Sequence, residues 1–311
     1  MTTMVDMRDP VIQVEGLRCS YGDFEAVRGV DFEVARGELF GLLGTNGAGK
    51  TTTLEAVEGL RRTSGGVVRV LGSDPVADRK AIRPRIGIML QDSGFPADLT
   101  VAEMVAFWRE TSTRTSDADA AIEALDLGHR RDVRIKQLSG GERRRLDLLL
   151  ATLGGPEVLF LDEPTTGLDP ESRLRVWDVV RGLLANGTTI VLTTHYLEEA
   201  EALAERIAIM HRGRIAVAGR VADVLARQPA RIGFDVPAGF DVGVLPMLSG
   251  DVVHEPSGRV EVRTAELQRD LGDLLDWARA DGRVLTGLRA NHASLDDVFH
   301  AVRADGKAVT R

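Results

Sequence analysis

Cysteine is almost absent. Among 311 residues only Cys19 carries a thiol, so no internal disulfide can form. A reducing compartment is expected, with Cys19 read as a small buried hydrophobe. Long apolar runs are missing too. The longest, "FGLLG" at 40–44 and "LDLLLATL" at 146–153, fall far short of a membrane span. The opening "MTTMVDMRDP" lacks the positive-then-apolar layout of a signal peptide. The chain is therefore expected to be soluble by itself, which leaves open whether it docks on a membrane protein. Excess positive charge is lacking: the formal net charge is -8, which argues against a broad nucleic-acid footprint. No internal repeat and no low-complexity tract is evident.

What is present is a globular composition, 43% hydrophobic, in a length sufficient for one large domain or two ordinary ones. Glycine-punctuated strand patterns come first, in "VIQVEGLRCSYG" and "VDFEVARGELFGLLG". Short apolar runs without polar alternation come next: "FGLLG", "RIGIMLQ", "VLFLDE" and "TTIVLTTH". Such runs suit strands buried on both faces, and helical patterns lie between them, so a mostly parallel sheet covered by helices is expected.

From about 93 to 137 no strand pattern occurs. "TVAEMVAFWRE" opens with a capping box, Thr100 with Glu103, and places Val101, Met104, Val105 and Trp108 on one helical stripe. "DADAAIEALDLG" reads as a second helix, so a helical subdomain is expected over about 93–155. The character changes again after about Arg227. "RVEVRT" alternates like a strand, and "ELQRDLGDLLDWARADG" puts Leu267, Leu271, Leu274, Leu275 and Ala278 on one face. "SLDDVFHAV" starts with Ser294 and Asp297 as a capping box. Residues 1–228 are read as one domain and 229–311 as a small α+β accessory domain, serving dimerisation, regulation or stability.

The chemistry begins at "GTNGAGKT", residues 44–51, which has P-loop spacing between an apolar strand and a helix. Gly44, Gly47 and Gly49 let the backbone wrap so that its N–H groups, with those of Thr45, Asn46, Ala48 and Thr52, face phosphate oxygens. Lys50 reaches the β- and γ-phosphates, and the Thr51 hydroxyl suits Mg2+. "VLFLDE" delivers Asp162 and Glu163 to the carboxyl edge of the sheet, where ligands bind. Asp162 suits Mg2+ and Glu163 the attacking water, unless the pair is a solvated turn. His195 ends "TTIVLTTH" and Gln91 ends "GIMLQ" at the same edge. An imidazole there can bind the γ-phosphate, and an amide can touch Mg2+ or water; each is otherwise an ordinary strand-end residue.

Taken in order, residues 44–51, Gln91, "LSGGE" at 138–142, "VLFLDE", "GLDP" at 167–170 and His195 resemble the motifs of an ABC transporter ATPase, over about residues 10 to 225. The resemblance implies a P-loop NTPase fold with a mostly parallel sheet, an antiparallel β subdomain and a helical subdomain. It implies ATP and Mg2+ as ligands, with Mg2+ held by Thr51, Gln91 and Asp162, and with Glu163, His195 and Gln91 serving hydrolysis. Tyr21 sits where the family stacks an aromatic on adenine. Ser139, Gly140, Gly141 and Glu142 would cap the γ-phosphate of ATP held by a second copy, in a head-to-tail dimer. Asp169 would lie at that interface. The family usually has Gln where this chain has Glu142, so its carboxylate is expected to turn toward the ribose or nearby arginines. Residues 143–145 are expected on the polar face of the helix after the signature.

The segments "TTHYLEEAEALAERIAIMHRGRIAVAGR" and "LDEPTTGLDPESRLRVWDVVRGL" look like the ABC-2 exporter subfamily, which includes ATP-binding subunits of daunorubicin/doxorubicin-type resistance pumps. That implies export of a drug, antibiotic, lipid or polysaccharide through a separately encoded permease, with the chain at the cytoplasmic face of the membrane. Phe95 and Phe107 are expected to face the permease and Trp108 the core. The alternatives are a soluble ABC ATPase of repair or translation and an importer cassette. The first is opposed by the single P-loop, the net charge and the lack of a coiled-coil or zinc insertion.

Overall fold

"LFGLLG" contains no polar residue, and every one of its positions is buried as a strand between two neighbours. The computed structural model describes residues 9–91, 94–111, 117–237, 239–255 and 258–308. The N-terminal segment through residue 8 and the expected start of the helical insertion at Ser93 lie outside these described residues. The chain opens with a hairpin, β1 (Pro10–Tyr21) and β2 (Phe24–Ala35), then β3 (Leu39–Gly44) and α1 (Lys50–Val57). β4 (Gly65–Val70), the short α2 (Arg79–Ile82) and β5 (Ile86–Met89) come after it. Three helices are next: α3 (Val101–Thr111), α4 (Ala118–Ala124) and α5 (Gly140–Thr152). β6 (Val158–Asp162), α6 (Pro170–Ala185), β7 (Thr189–Thr193), α7 (Leu197–Leu203), β8 (Arg206–His211) and β9 (Arg214–Arg220) then alternate. The C-terminal part holds α8 (Val221–Ala226), β10 (Ala230–Asp235), β11 (Asp251–Glu255), β12 (Arg259–Thr264), α9 (Leu267–Ala280), β13 (Thr286–Asn291) and α10 (Leu295–Ala308). Contacts divide the chain into two compact units, Met1–Gly219 and Arg220–Arg311.

In the first unit a six-stranded sheet has the order β5-β6-β7-β3-β8-β9. The pairs β5–β6, β6–β7, β7–β3 and β3–β8 are all parallel. Because these five strands run the same way, their carboxyl ends share one edge. That edge gathers the residues just beyond β3, β5, β6 and β7. A separate antiparallel sheet, β2-β1-β4, packs its Leu17, Val27 and Val34 into one core with Phe40 and Phe160. Phe32 and Phe40 stack at 5.3 Å.

The helical insertion forms as its sequence directs. Thr100 N–H donates to Glu103 and Glu103 N–H donates back to Thr100 Oγ1, closing the capping box of α3. Val101, Met104 and Val105 are buried, and Trp108 packs partly buried against the same cluster. Phe107 is 54% exposed. Phe95, expected to face outward, packs instead against the core. The expectation for residues 143–145 also fails. Arg143 is exposed, but Arg144 and Arg145 are 8% and 7% exposed. Almost all of α5 is buried, so it has no broad polar face on which three arginines can lie.

The second unit is a four-stranded antiparallel sheet, β11-β12-β10-β13. Ile232, Phe234, Val260 and Val262 project from one face onto Leu274, with Leu267 and Leu271 alongside. Leu275, read as part of this stripe, is 41% exposed. It lies one residue after Leu274, about 100° around the helix, and so falls off the covered side.

A carboxyl is buried at the end of α1. Glu58 is 3% exposed, and its Oε1 has no hydrogen-bond partner. Burial, and next the charge of Asp162, push it from 4.5 up to about 8, with Arg83 opposing. Between these values the unfolded chain has released the proton that the folded chain keeps. Stability is therefore expected to fall as pH rises through this window, by on the order of 3–5 kcal/mol, and to level above it. Glu58→Gln, neutral at every pH, should flatten the profile. Urea midpoints taken from about pH 5 to 8.5 read it; an unchanged slope in the variant would assign the effect to another group.

Candidate active site

The loop between β3 and α1 depends on glycine geometry. Gly44, Gly47 and Gly49 have φ of 155°, 75° and 102°. A Cβ on Gly49 would lie 2.8 Å from the Ala26 carbonyl, and one on Gly44 would lie 2.6 Å from that of Met210. Side chains are excluded at both places for reasons of space as well as backbone conformation. Asn46 and Gly47 are exposed at the loop tip, while Ala48 is buried beneath it. Ala48 N–H donates to Thr45 O, and Gly213 N–H to Ala48 O.

Lys50 is 8% exposed, and its Nζ donates to Gly44 O at 2.8 Å and to Thr45 O at 3.3 Å. Burial lowers its pKa, while the charges of Glu163 and Asp162 act in the opposite direction. Thr51 is exposed beside it in the first turn, whereas Thr52 is buried. Thr52 Oγ1 lies 3.2 Å from the hydroxyl of Tyr21. The Tyr21 ring is 47% exposed, and the Arg61 guanidinium sits 4.2 Å from its centroid.

Asp162 closes β6 at 5% exposure. Burial raises its pKa, although Thr193, its register partner on β7, donates a hydrogen bond to Oδ1. Glu163, the next residue, has φ of 51°, a left-handed conformation rare for a side chain of this size. Its N–H donates to Thr193 O at 2.9 Å, which helps hold that conformation. Oε2 lies 3.3 Å from His195 Nδ1 and accepts from Thr166 Oγ1 at 3.2 Å. His195, two residues beyond β7, also packs on Tyr196 at 4.1 Å between ring centroids. The sheet edge thus brings Lys50, Asp162, Glu163 and His195 together. Gln91 arrives at the same edge, two residues past β5, with its side chain exposed and its carbonyl accepting from Arg144 at 3.0 Å.

The "LSGGE" segment occupies a different place. Ser139 is the N-cap of α5, and its Oγ accepts from Glu142 N–H at 3.2 Å. That use of the oxygen leaves the hydroxyl proton to donate outward, beside exposed Gly140 and the half-buried Gly141. Glu142 turns away from this surface. Its carboxylate accepts from Ser139 N–H at 2.8 Å and from Arg130 Nε at 2.7 Å. Burial raises its pKa, but these donors outweigh burial and hold the group below the usual range. Among the described residues, no hydrogen bond or ion pair joins 139–142 to the P-loop. Asp169 caps α6, with Oδ1 accepting from Ser172 N–H and Oδ2 from its hydroxyl. Both bonds lower its pKa.

Glu142→Gln should keep only one of the two acceptor contacts. A weakened cap costs about 1 kcal/mol, so ATP turnover is expected to fall about two- to five-fold. A ten-fold faster variant would mean that Glu142 opposes closure instead.

Three contributors were not read from the sequence: Thr193, Arg130 and Arg144. Thr193 matters through strand register and Arg130 through a fold-back of the helical insertion. Arg144 was named only as part of a polar face.

A family model described as ABC transporter matches residues 27–166. Another, described as ABC transporter domain-containing protein-like, C-terminal domain, matches 230–294. The daunorubicin resistance ATP-binding protein DrrA3 of Streptomyces coeruleorubidus is 36% identical over 97% of this chain and 99% of its own. This chain belongs to the ABC transporter ATP-binding family. A second relative of this ABC subunit is the daunorubicin/doxorubicin resistance ATP-binding protein DrrA of Streptomyces peucetius, 41% identical over 68% of this chain and 66% of that one. A third is the Nod factor export ATP-binding protein I of Ralstonia nicotianae, 36% identical over 93% and 92%. Among solved structures, an ATP-binding subunit of an ABC transporter matches with a TM-score of 0.65 at 26% identity, covering 70% of this chain and 92% of that one. The ABC subunit therefore binds ATP and is an ATPase.

Proposed function

We infer that this chain is the ATP-hydrolysing motor subunit of an exporter for a drug, antibiotic or lipid-like substrate, acting through a separately encoded ABC-2 type permease. The observation that carries the reading is the Glu163–His195 contact at the sheet edge shared with the P-loop. A carboxylate there accepts the proton of a water attacking the γ-phosphate, while an imidazole orients that water and the phosphate. Relatives named for daunorubicin resistance and for Nod factor export support export over the soluble and importer alternatives.

The residues present fit Mg2+ held mainly by phosphate oxygens and water. No group of three His, Cys, Asp or Glu side chains that could hold a metal occurs among the described residues. Thr51 offers an exposed hydroxyl, Asp162 a desolvated carboxylate that a cation would stabilise, and Gln91 an exposed amide. When bound, Mg2+ would neutralise charge developing on the phosphates. Tyr21 and the P-loop residues 44–52 hold the nucleotide. The outward N–H groups of Gly140 and Gly141 and the Ser139 hydroxyl suit a γ-phosphate presented by a second copy, with Asp169 near the same interface.

The motor comprises residues 1–228, with the helical subdomain at about 93–155, and residues 229–311 form an accessory domain. No described helix is long and apolar enough to cross a membrane. We place the subunit peripherally at the cytoplasmic face of the membrane, with exposed Phe107 and Leu90 toward the permease. Co-expression with a candidate ABC-2 type permease from a neighbouring gene, and then drug-stimulated ATPase in vesicles, tests this function. Turnover indifferent to the permease would refute it.

A further inference from the structure

The β5–β6 ladder ends where the chemistry begins. Its last register pair is Met89 with Leu161. Beyond that pair, one side chain takes over the hydrogen bonding of both strand ends. Arg144 Nη1 donates to Leu90 O at 2.7 Å and to Gln91 O at 3.0 Å. Its Nη2 donates to Asp162 O and, at 2.8 Å, to Glu163 O. Asp147 Oδ2 lies 3.8 Å from Nη1, one helical turn on. A buried guanidinium needs such partners, and its planar fork suits two pairs of carbonyls. A lysine ammonium, as a point donor, cannot span both pairs.

The helix that carries Arg144 starts at Ser139. Arg144 lies five positions after Ser139, about 7.5 Å along the axis. One rigid element therefore joins the exposed anion cradle at 139–141 to the backbone of Gln91 and of Asp162–Glu163. The left-handed conformation of Glu163 is held from both sides, by Thr193 at its N–H and by Arg144 at its carbonyl.

We propose that Arg144 is a positioning residue that transmits engagement of a partner's nucleotide at residues 139–141, through α5, to the Gln91 loop and the Glu163 carboxylate of its own cassette. This rests on reading Glu163 as the general base and 139–141 as a cradle acting on a second copy. Such a link makes each site's hydrolytic geometry depend on the other's nucleotide.

Steady-state ATPase and nucleotide affinity of the full chain test it. Arg144→Lys is expected to lower kcat about ten-fold or more, with ATP affinity within about three-fold. The Hill coefficient should move from about two toward one. A purely structural loss would weaken affinity and turnover together. Wild-type turnover and cooperativity in Arg144→Lys, beside an inactive Glu163→Gln, would overturn the inference alone. Glu163→Gln as fast as wild type would instead bring down the functional reading and this inference with it. Hydrogen exchange supplies an arm that leaves Arg144 intact should Arg144→Lys fail to fold. In Glu163→Gln protein, ATP should protect residues 86–91 and 158–163. Adding Gly141→Asp should remove that protection but leave it at 44–52. Protection of 86–91 that survives Gly141→Asp would overturn the inference.

Discussion

Glu163→Gln is expected to lower ATP turnover by two to three orders of magnitude while leaving ATP affinity within about three-fold. Glutamine matches glutamate in size, so the left-handed backbone at 163 and the contact with His195 are kept. The proton-accepting oxygen is what disappears. Lys50, the residue proposed to meet the phosphates, is held in the P-loop by its bond to Gly44 O and is unchanged. The substitution should therefore act on the chemical step alone. Single-turnover kinetics with radiolabelled ATP, beside fluorescent-nucleotide titration, separate the two effects. A turnover within about three-fold of wild type would remove Glu163 from the general-base role. ATP that cannot be hydrolysed should also hold two cassettes together, so a dimer stable to gel filtration in ATP is the expected companion result.

The parts of this site that could be read in sequence are those set by local chemistry. "FGLLG", "VLFLDE" and "TTIVLTTH" are short apolar runs, and each holds a fully buried strand whose carboxyl end lies at one sheet edge. The capping box at Thr100 and Glu103 formed because both partners lie within one turn. What could not be read depends on residues far apart in sequence. Arg144 looked polar because arginine usually is exposed, yet the carbonyls that bury it lie 53–54 and 18–19 residues away. Thr193 holds Asp162 through the β6–β7 register, which no local pattern specifies. Glu58 ends an otherwise ordinary helix, and only the packed structure shows its carboxyl sealed from water. Phe95 lies in the loop before α3, where no periodicity indicates burial, and Leu275 lies at the margin of the α9 stripe. Helical spacing and residue type define a stripe, but tertiary contacts define its width.

Lys50→Met is the substitution for which binding and stability should move in opposite directions. Methionine keeps much of the apolar stem and loses the charge. Without that charge the phosphates face only backbone N–H groups and the helix terminus, and ATP affinity is expected to fall at least about 100-fold. The fold should not suffer equally. Burial depresses the Lys50 pKa, which means that the charged form is less favourable in the folded chain than in the unfolded one. In an acid-ward titration a group shifted down loses stability as it becomes charged, so at neutral pH the ammonium works against folding. Two hydrogen bonds to Gly44 O and Thr45 O partly offset this. Removing the charge should therefore leave the nucleotide-free melting temperature unchanged or raise it. The shift produced by added ATP should vanish, since a ligand at 100 times its Kd stabilises by about 2.7 kcal/mol. Differential scanning fluorimetry with and without ATP reads both effects in one experiment. A variant that melts lower yet still shifts with ATP would mean that Lys50 serves the loop rather than the phosphates.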